Sequence, residues 1–162
     1  MGKADASSVN IISAQTNEQI DTIRLLFLEY AQSLNFDLCF QSFDEELAGL
    51  PGDYAMPDGR LLLAKYDGKV AGCVGLRKVA DGVCEMKRLW VKPEFRDKKI
   101  GRKLAEEVIS EARKIGYSLM KLDTVDTMKA AITMYKSMGF SDTSAYRYNP
   151  IEGAVYMELK LT

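Results

Sequence analysis

A short basic turn is the stretch of this sequence whose residue types are best suited to chemistry. It reads Arg96-Asp97-Lys98-Lys99-Ile100-Gly101-Arg102-Lys103, so cations dominate it. Apolar residues then recur at helical spacing, which predicts a helix that begins where the turn ends: Ile100, Leu104, Val108, Ile109, Ala112 and Ile115. The free backbone N–H groups of a helix start, flanked by cations, suit a phosphate group. We therefore predict an anion-binding turn; the alternative is a solvated basic face.

Two separated motifs resemble those of one enzyme family. Residues 96–101 resemble the (Gln/Arg)-x-x-Gly-x-(Gly/Ala) turn of the GNAT N-acetyltransferase superfamily. Residues 131–140, Ala-Ile-Thr-Met-Tyr-Lys-Ser-Met-Gly-Phe, are similar to its Ala-Ile-x-Leu-Tyr-x-x-x-Gly-Phe segment. The motifs agree with the family in order and spacing. The resemblance implies an N-acetyltransferase that moves an acetyl group from acetyl-CoA directly to a primary amine of an unidentified, small-molecule acceptor.

The resemblance also implies a cofactor site. Backbone N–H groups of the turn would bind the CoA pyrophosphate, and the cations of the turn would contact the phosphates. Main-chain groups of Leu89 and Val91 would pair with the pantetheine amides, and one N–H would polarise the thioester carbonyl. The residues expected to bind the cofactor are Leu89, Trp90, Val91, Arg96, Asp97, Lys98, Lys99, Ile100, Gly101, Arg102, Lys103, Met134 and Tyr135.

Two positions depart from the family pattern. Lys99 stands where the family usually has glycine, and its side chain disfavours a positive φ. With the backbone of Lys99 in the helical or bridge region, its N–H could still face a phosphate. Met128 stands where many members carry an asparagine that contacts the cofactor, so that contact should be missing or replaced.

The acceptor amine must lose a proton before it can attack, because an alkylamine has a pKa of about 10.4. The chain has no histidine, so a carboxylate is the natural proton acceptor. Glu85, at the start of the strand that would deliver the thioester, is the first choice, acting through water. The alternative for Glu85 is an ion pair with Lys87 or with a cation on a neighbouring strand. Asp123 and Asp126 are weaker candidates.

Tyr135 matches the tyrosine that hydrogen-bonds or protonates the leaving thiolate in many family members. The alternative is an aromatic side chain that packs on the helix face beside Met134 and Met138. Near the expected acceptor side, the run from Tyr146 through Arg147 and Tyr148 to Asn149 could line the substrate pocket.

Composition favours one soluble globular domain over residues 1–162, with residues 1–8 as a mobile tail, since 47% of the residues are hydrophobic and 28% charged. A net charge of −1 argues against a nucleic-acid binder. Three cysteines without metal spacing argue against a zinc site or a disulfide scaffold.

Neither a signal-type segment nor a membrane-length apolar run is evident, so we expect a cytoplasmic protein without membrane contact. A non-catalytic acyl-CoA sensor is the alternative function, and a homodimer is compatible with the sequence.

The predicted elements follow a mixed order. A strand over residues 9–15 precedes a helix with a Thr16/Gln19 capping box, and Ser42 with Glu45 signals a second helix to about Leu50. An antiparallel meander follows over residues 60–66, 69–79 and 83–91, joined by Asp-Gly turns. The helix from Ile100 ends near Gly116, and a strand over 119–125, a second helix, and strands over 141–148 and 154–161 complete the chain.

This order alone supports an α/β or α+β fold. Strand alternation puts Glu85, Lys87, Leu89 and Val91 on one face of the central strand. The resemblance implies the GNAT fold, a mixed, mostly antiparallel central sheet flanked by helices. It also implies that the strands ending at Val91 and Val125 splay apart and that the pantetheine arm lies in the opening.

Overall fold

A computed structural model describes residues 9–34, 37–38 and 42–162. The predicted tail and Cys39 lie outside these residues. The strands are β1 Val9–Ser13, β2 Arg60–Tyr66, β3 Lys69–Ala80, β4 Val83–Val91, β5 Leu119–Val125, β6 Ser141–Asp142 and β7 Ala154–Lys160. The helices are α1 Asn17–Ser33, α2 Phe43–Gly49, α3 Ile100–Ile115 and α4 Lys129–Ser137, with short 3-10 helices at Gly52–Tyr54 and Pro93–Lys98. The strands form one sheet in the order β1-β2-β3-β4-β5-β7-β6.

The start of α1 is confirmed as a capping box. The Gln19 backbone N–H donates to Thr16 Oγ1 at 3.1 Å, and the Thr16 N–H donates to the Gln19 side chain at 3.1 Å. The predicted cap of α2 is wrong, because Ser42 has a left-handed backbone and makes no side-chain cap bond. The helix itself is present, since the buried side chain of Phe43 holds it against the core.

The predicted meander and crossover are confirmed. Strands β2, β3 and β4 pair antiparallel, and β4, α3 and β5 form a crossover that leaves β4 and β5 parallel. That parallel pairing extends only from Val83 opposite Leu119 to Glu85 opposite Lys121. Beyond this point the two strands separate, as the family resemblance implies. Helix α3 packs on one face of the sheet and α1 on the other.

A β-bulge in β4 overturns the predicted alternation of its side chains. Arg88 has φ 61°, and the β3–β4 register shifts between Lys87 and Trp90. The extra residue reverses the side-chain alternation beyond it. Leu89 and Val91 therefore lie on the α3 face with Cys84 and Met86. The opposite face carries Glu85, Lys87, Arg88 and Trp90.

The end of the chain is less regular than predicted. The strand expected over residues 141–148 is only Ser141–Asp142, while Ala154–Lys160 is confirmed as the final strand. Tyr146 and Arg147 leave the sheet because their side chains bond to Glu85 of β4. Within residues 9–34, 37–38 and 42–162, no helix has the length and hydropathy needed to span a membrane.

Candidate active site

A cavity of about 590 Å³ opens where β4 and β5 separate, and it reaches both faces of the sheet. Its α3 side is lined by Met86, Leu89, Val91, Leu122, Met134 and Tyr135. Its α1 side is lined by Tyr30, Leu34, Leu38, Lys87, Arg88, Asp123 and Asn149. The cavity therefore passes through the sheet, apolar on one side and charged on the other.

The basic turn lies at the mouth of this cavity, where the chain passes from a 3-10 helix into α3. Lys99 adopts φ 61° and ψ 26°, so it has the left-handed backbone that a side chain disfavours, and the helical or bridge conformation considered for it is not the one present. Among the described residues, no side chain caps the start of α3, so its first N–H groups remain available for an anion. Gly101 lines the cavity, which brings this helix start to its wall.

Arg96 is the cation of the turn that lines the cavity directly. Its Nε donates to the carbonyl oxygen of Val91 at 3.0 Å, and its guanidinium lies 4.7 Å from the centre of the Trp90 ring. The other predicted turn residues lie outside the cavity lining: Asp97, Lys98, Lys99, Ile100, Arg102 and Lys103. Of these, Ile100 is buried in the core and Arg102 donates to Ser137 Oγ.

The edge of β4 from residue 86 to residue 91 borders the cavity. Its pairing with β5 ends at Glu85, while Leu89, Trp90 and Val91 all line the opening. An extended chain that enters the opening would meet main-chain N–H and C=O groups along this edge.

Tyr135 lies on the cavity wall and is 7% exposed, with its ring centre 5.5 Å from that of Phe140. Burial, and then the nearby Tyr30, raise the pKa of Tyr135 above its usual value. The phenol therefore keeps its proton at neutral pH. Nearby, Met128 lines the cavity and its sulfur accepts a hydrogen bond from the Thr124 hydroxyl at 3.4 Å. A thioether thus stands where the family asparagine would be.

Glu85 is fully buried and does not line the cavity. It accepts hydrogen bonds from the Tyr146 hydroxyl at 2.6 Å, from Arg77 Nε at 3.0 Å and from Arg147, while Lys87 Nζ lies 3.9 Å away. Burial alone would raise the pKa of Glu85, but Lys87, Arg147, Arg77 and the tyrosine bond outweigh it and hold the pKa below its usual value. The ion pairs that the sequence allows for Glu85 are present.

Lys87 and Asp123 place a cation and a carboxylate on the α1 side of the cavity wall. Lys87 is 5% exposed, and burial lowers its pKa to about 8 against the opposing effect of Glu85. Asp123 accepts a hydrogen bond from Asn149 Nδ2 at 3.2 Å. Asp126, the other carboxylate considered, lies outside the cavity lining.

Arg88 is held on the same side by α2. Its guanidinium makes two 3.0 Å bonds to the Glu46 carboxylate, and it packs 5.8 Å from the Tyr30 ring centre and 5.1 Å from that of Phe43. The Tyr54 hydroxyl donates to the same carboxylate at 3.1 Å. This buried pair fixes the bulge that directs β4 side chains around the cavity.

Sequence reasoning missed several lining residues. Lys87 and Arg88 stand together in the middle of a central strand, where charged residues are rare, and that pattern is a detectable signal. Tyr30 of α1 also lines the cavity, and no motif in the sequence marks it. Of the run from residue 146 to residue 149, only Asn149 lines the cavity, whereas Tyr148 is 76% exposed.

Comparison with known proteins gives consistent matches. A sequence model described as the acetyltransferase (GNAT) family matches residues 23–140. A Schizosaccharomyces pombe protein named as an uncharacterized N-acetyltransferase is 41% identical over 96% of this chain and 97% of its own length.

Solved structures match in fold. An acetyltransferase from Streptococcus agalactiae superposes with TM-score 0.78 and 19% identity over 95% of this chain and 99% of its own. A Salmonella typhimurium protein solved with its cofactor acetyl-CoA gives TM-score 0.69 and 20% identity over 96% of this chain and 95% of its own.

Proposed function

The chain belongs to the GNAT acetyltransferase family, and from this premise we propose that it transfers the acetyl group of acetyl-CoA directly to a primary amine of a small acceptor. It is an N-acetyltransferase with acetyl-CoA as its co-substrate. The observation that carries the proposal is the cavity through the β4–β5 opening. Such a cavity lets a thioester and an amine approach one another from opposite faces of the sheet. A cytoplasmic location and a homodimer stay predictions from the sequence.

The cofactor would enter on the α3 side. The free N–H groups at the start of α3 would bind the pyrophosphate, with Lys98, Lys99, Arg102 and Lys103 adding charge around the mouth. The pantetheine arm would lie along β4 from residue 86 to residue 91, beside Met134. Arg96 would have to release the Val91 carbonyl, which frees both groups for the cofactor.

The reaction requires one bond to form and one to break. The amine nitrogen attacks the thioester carbonyl carbon, and a main-chain N–H on the β4 edge stabilises the oxyanion. The carbon–sulfur bond then breaks, and the Tyr135 hydroxyl donates its proton to the leaving thiolate. The raised pKa of Tyr135 suits this role, because the phenol is protonated when the thiolate forms.

Two observations support Asp123 over Glu85 as the group that receives the amine proton. Asp123 lines the cavity, while Glu85 does not. Glu85 is also bound by three cations and a tyrosine, which disfavours its protonated form. Glu85 would instead position Lys87 and the 146–149 segment through its ion pairs.

The test is calorimetric titration of acetyl-CoA, followed by a thiol-release assay over a panel of amines. We expect binding that weakens in an Arg96→Ala/Arg102→Ala variant and is unchanged in Lys114→Ala, which removes an exposed cation at the far end of α3. Amine-dependent thiol release should fall in Asp123→Asn more than in Glu85→Gln. Binding without release from any amine would favour the sensor function, and absence of binding would refute the proposal.

A further inference from the structure

The connection between β6 and β7 is attached to the sheet on both sides of β5. The Tyr146 hydroxyl donates to Glu85 of β4 at 2.6 Å, and Arg147 binds the same carboxylate. From the other side, the Tyr156 hydroxyl of β7 donates to the carbonyl oxygen of Arg147 at 3.3 Å. Because β5 lies between β4 and β7 in the sheet, these bonds hold the connection beside β5.

Asn149 of this connection meets Asp123 of β5 at the cavity wall, which both residues line. Its Nδ2 donates to Asp123 Oδ2 at 3.2 Å. Its Oδ1 accepts the backbone N–H of Ile151 at 3.0 Å, which closes a turn. Because that turn engages the carbonyl end of the carboxamide, the amino end is the one that faces Asp123.

The carboxylate of Asp123 keeps most of its capacity to accept hydrogen bonds. Within the part of the chain that the structure describes, the one hydrogen bond that it accepts comes from Asn149. A carboxylate has about four acceptor positions on its two oxygens. Glu85 differs, because both of its oxygens accept hydrogen bonds from protein side chains. The bond from Asn149 therefore determines how the Asp123 carboxylate is oriented in the cavity.

We propose that Asn149 is a positioning residue that holds Asp123 Oδ2, so that Oδ1 faces the acceptor amine. This inference rests on the proposed function, in which Asp123 receives the proton that the amine must lose before its nitrogen attacks. A carboxamide suits the task, because it donates a hydrogen bond and carries no charge of its own. Glu85 acts at a distance, since its bonds to residues 146 and 147 set the place of Asn149.

Two variants separate the two bonds of Asn149. Asn149→Ala removes both bonds. Asn149→Ser can still accept the Ile151 N–H, but its side chain is one heavy atom shorter and would not reach Asp123. In the thiol-release assay, with the amine of the panel that reacts fastest, each variant should lower kcat about 10-fold or more, because a misplacement of about 1 Å can cost about 100-fold. The KM for acetyl-CoA should stay unchanged.

The control is Glu152→Ala, at an exposed position of the same connection, which should keep the wild-type kcat. A wild-type kcat in Asn149→Ser would overturn the inference, because the turn alone would then account for Asn149.

A double-variant cycle tests whether Asn149 acts through Asp123. Asp123→Asn should lower kcat about 100-fold or more, as expected for loss of a general base. Adding Asn149→Ala to Asp123→Asn should lower kcat by less than about 2-fold further, because the carboxylate that Asn149 positions is already gone. A further loss as large as that of Asn149→Ala alone would show an independent role and would overturn the inference.

Crystal structures of the wild type and of Asn149→Ser observe the orientation directly. We expect the Asp123 carboxylate to turn or to occupy two conformers in the variant, while Tyr146 and Arg147 stay on Glu85. An unchanged carboxylate would overturn the inference.

The kinetic results also separate this inference from the proposed function. A loss of kcat in Asp123→Asn without a loss in either Asn149 variant would refute the positioning role and leave Asp123 as the proton acceptor. A wild-type kcat in Asp123→Asn would refute that assignment and the inference with it. Absence of thiol release from every amine would refute the proposed reaction and, with it, the inference.

Discussion

Removal of the Glu46 side chain should be the most damaging single change to a residue of α2. The side chain of Arg88 is 2% exposed and makes two 3.0 Å bonds to the Glu46 carboxylate. The variant Glu46→Ala leaves that guanidinium buried without its anion, and the Tyr54 hydroxyl also loses its acceptor. Breaking a buried ion pair by removing one partner costs about 3–5 kcal/mol.

For a domain of 150–250 residues each kcal/mol shifts Tm by about 2–4 °C, so Glu46→Ala should lower Tm by about 6–20 °C. Urea unfolding followed by circular dichroism gives the free energy of unfolding directly. The control is Glu45→Ala, an exposed neighbour on the same helix, which should change stability by less than about 0.5 kcal/mol. A decrease of less than about 1 kcal/mol in the free energy of unfolding of Glu46→Ala would contradict this reasoning. It would mean that the ion pair with Glu46 does not hold Arg88 in its conformation at the bulge.

Two further changes have defined outcomes. Lys99→Gly should raise the free energy of unfolding by about 1 kcal/mol, because it relieves a positive φ, whereas Lys98→Gly, measured alongside it by urea unfolding, should lower it. Tyr135→Phe should lower kcat about 100-fold or more in the thiol-release assay, with acetyl-CoA affinity by calorimetry unchanged; an unchanged kcat would remove the phenol from the mechanism.

The meander and the crossover were predictable from the sequence because local signals mark them. The Asp-Gly turns at Asp67 and Asp81 join strands whose observed bounds lie within one residue of the prediction. Gly116 likewise ends α3 with the expected left-handed cap. Such features depend on a few adjacent residues, which a single sequence displays.

The bulge and the true surroundings of Glu85 were not predictable, since distant residues produce them. Arg88 carries no local preference for positive φ, and its conformation is held by Glu46, 42 residues earlier. Tyr146 and Arg147 lie outside the sheet, although a strand was predicted over residues 141–148, because their side chains bind Glu85, which is 61 and 62 residues away. Interactions of this kind override local propensity, and they also decide which charges line the cavity.

A crystal structure of the protein with CoA bound would show whether the cofactor occupies the β4–β5 opening. We predict that the pyrophosphate contacts backbone N–H groups of residues 100–102 and that the pantetheine arm lies along β4 residues 86–91. The sulfur should then lie within hydrogen-bond reach of the Tyr135 hydroxyl, and Arg96 should have left the Val91 carbonyl. A cofactor bound outside the β4–β5 opening would contradict the proposed cofactor site, and a sulfur remote from Tyr135 would contradict the proposed role of its hydroxyl.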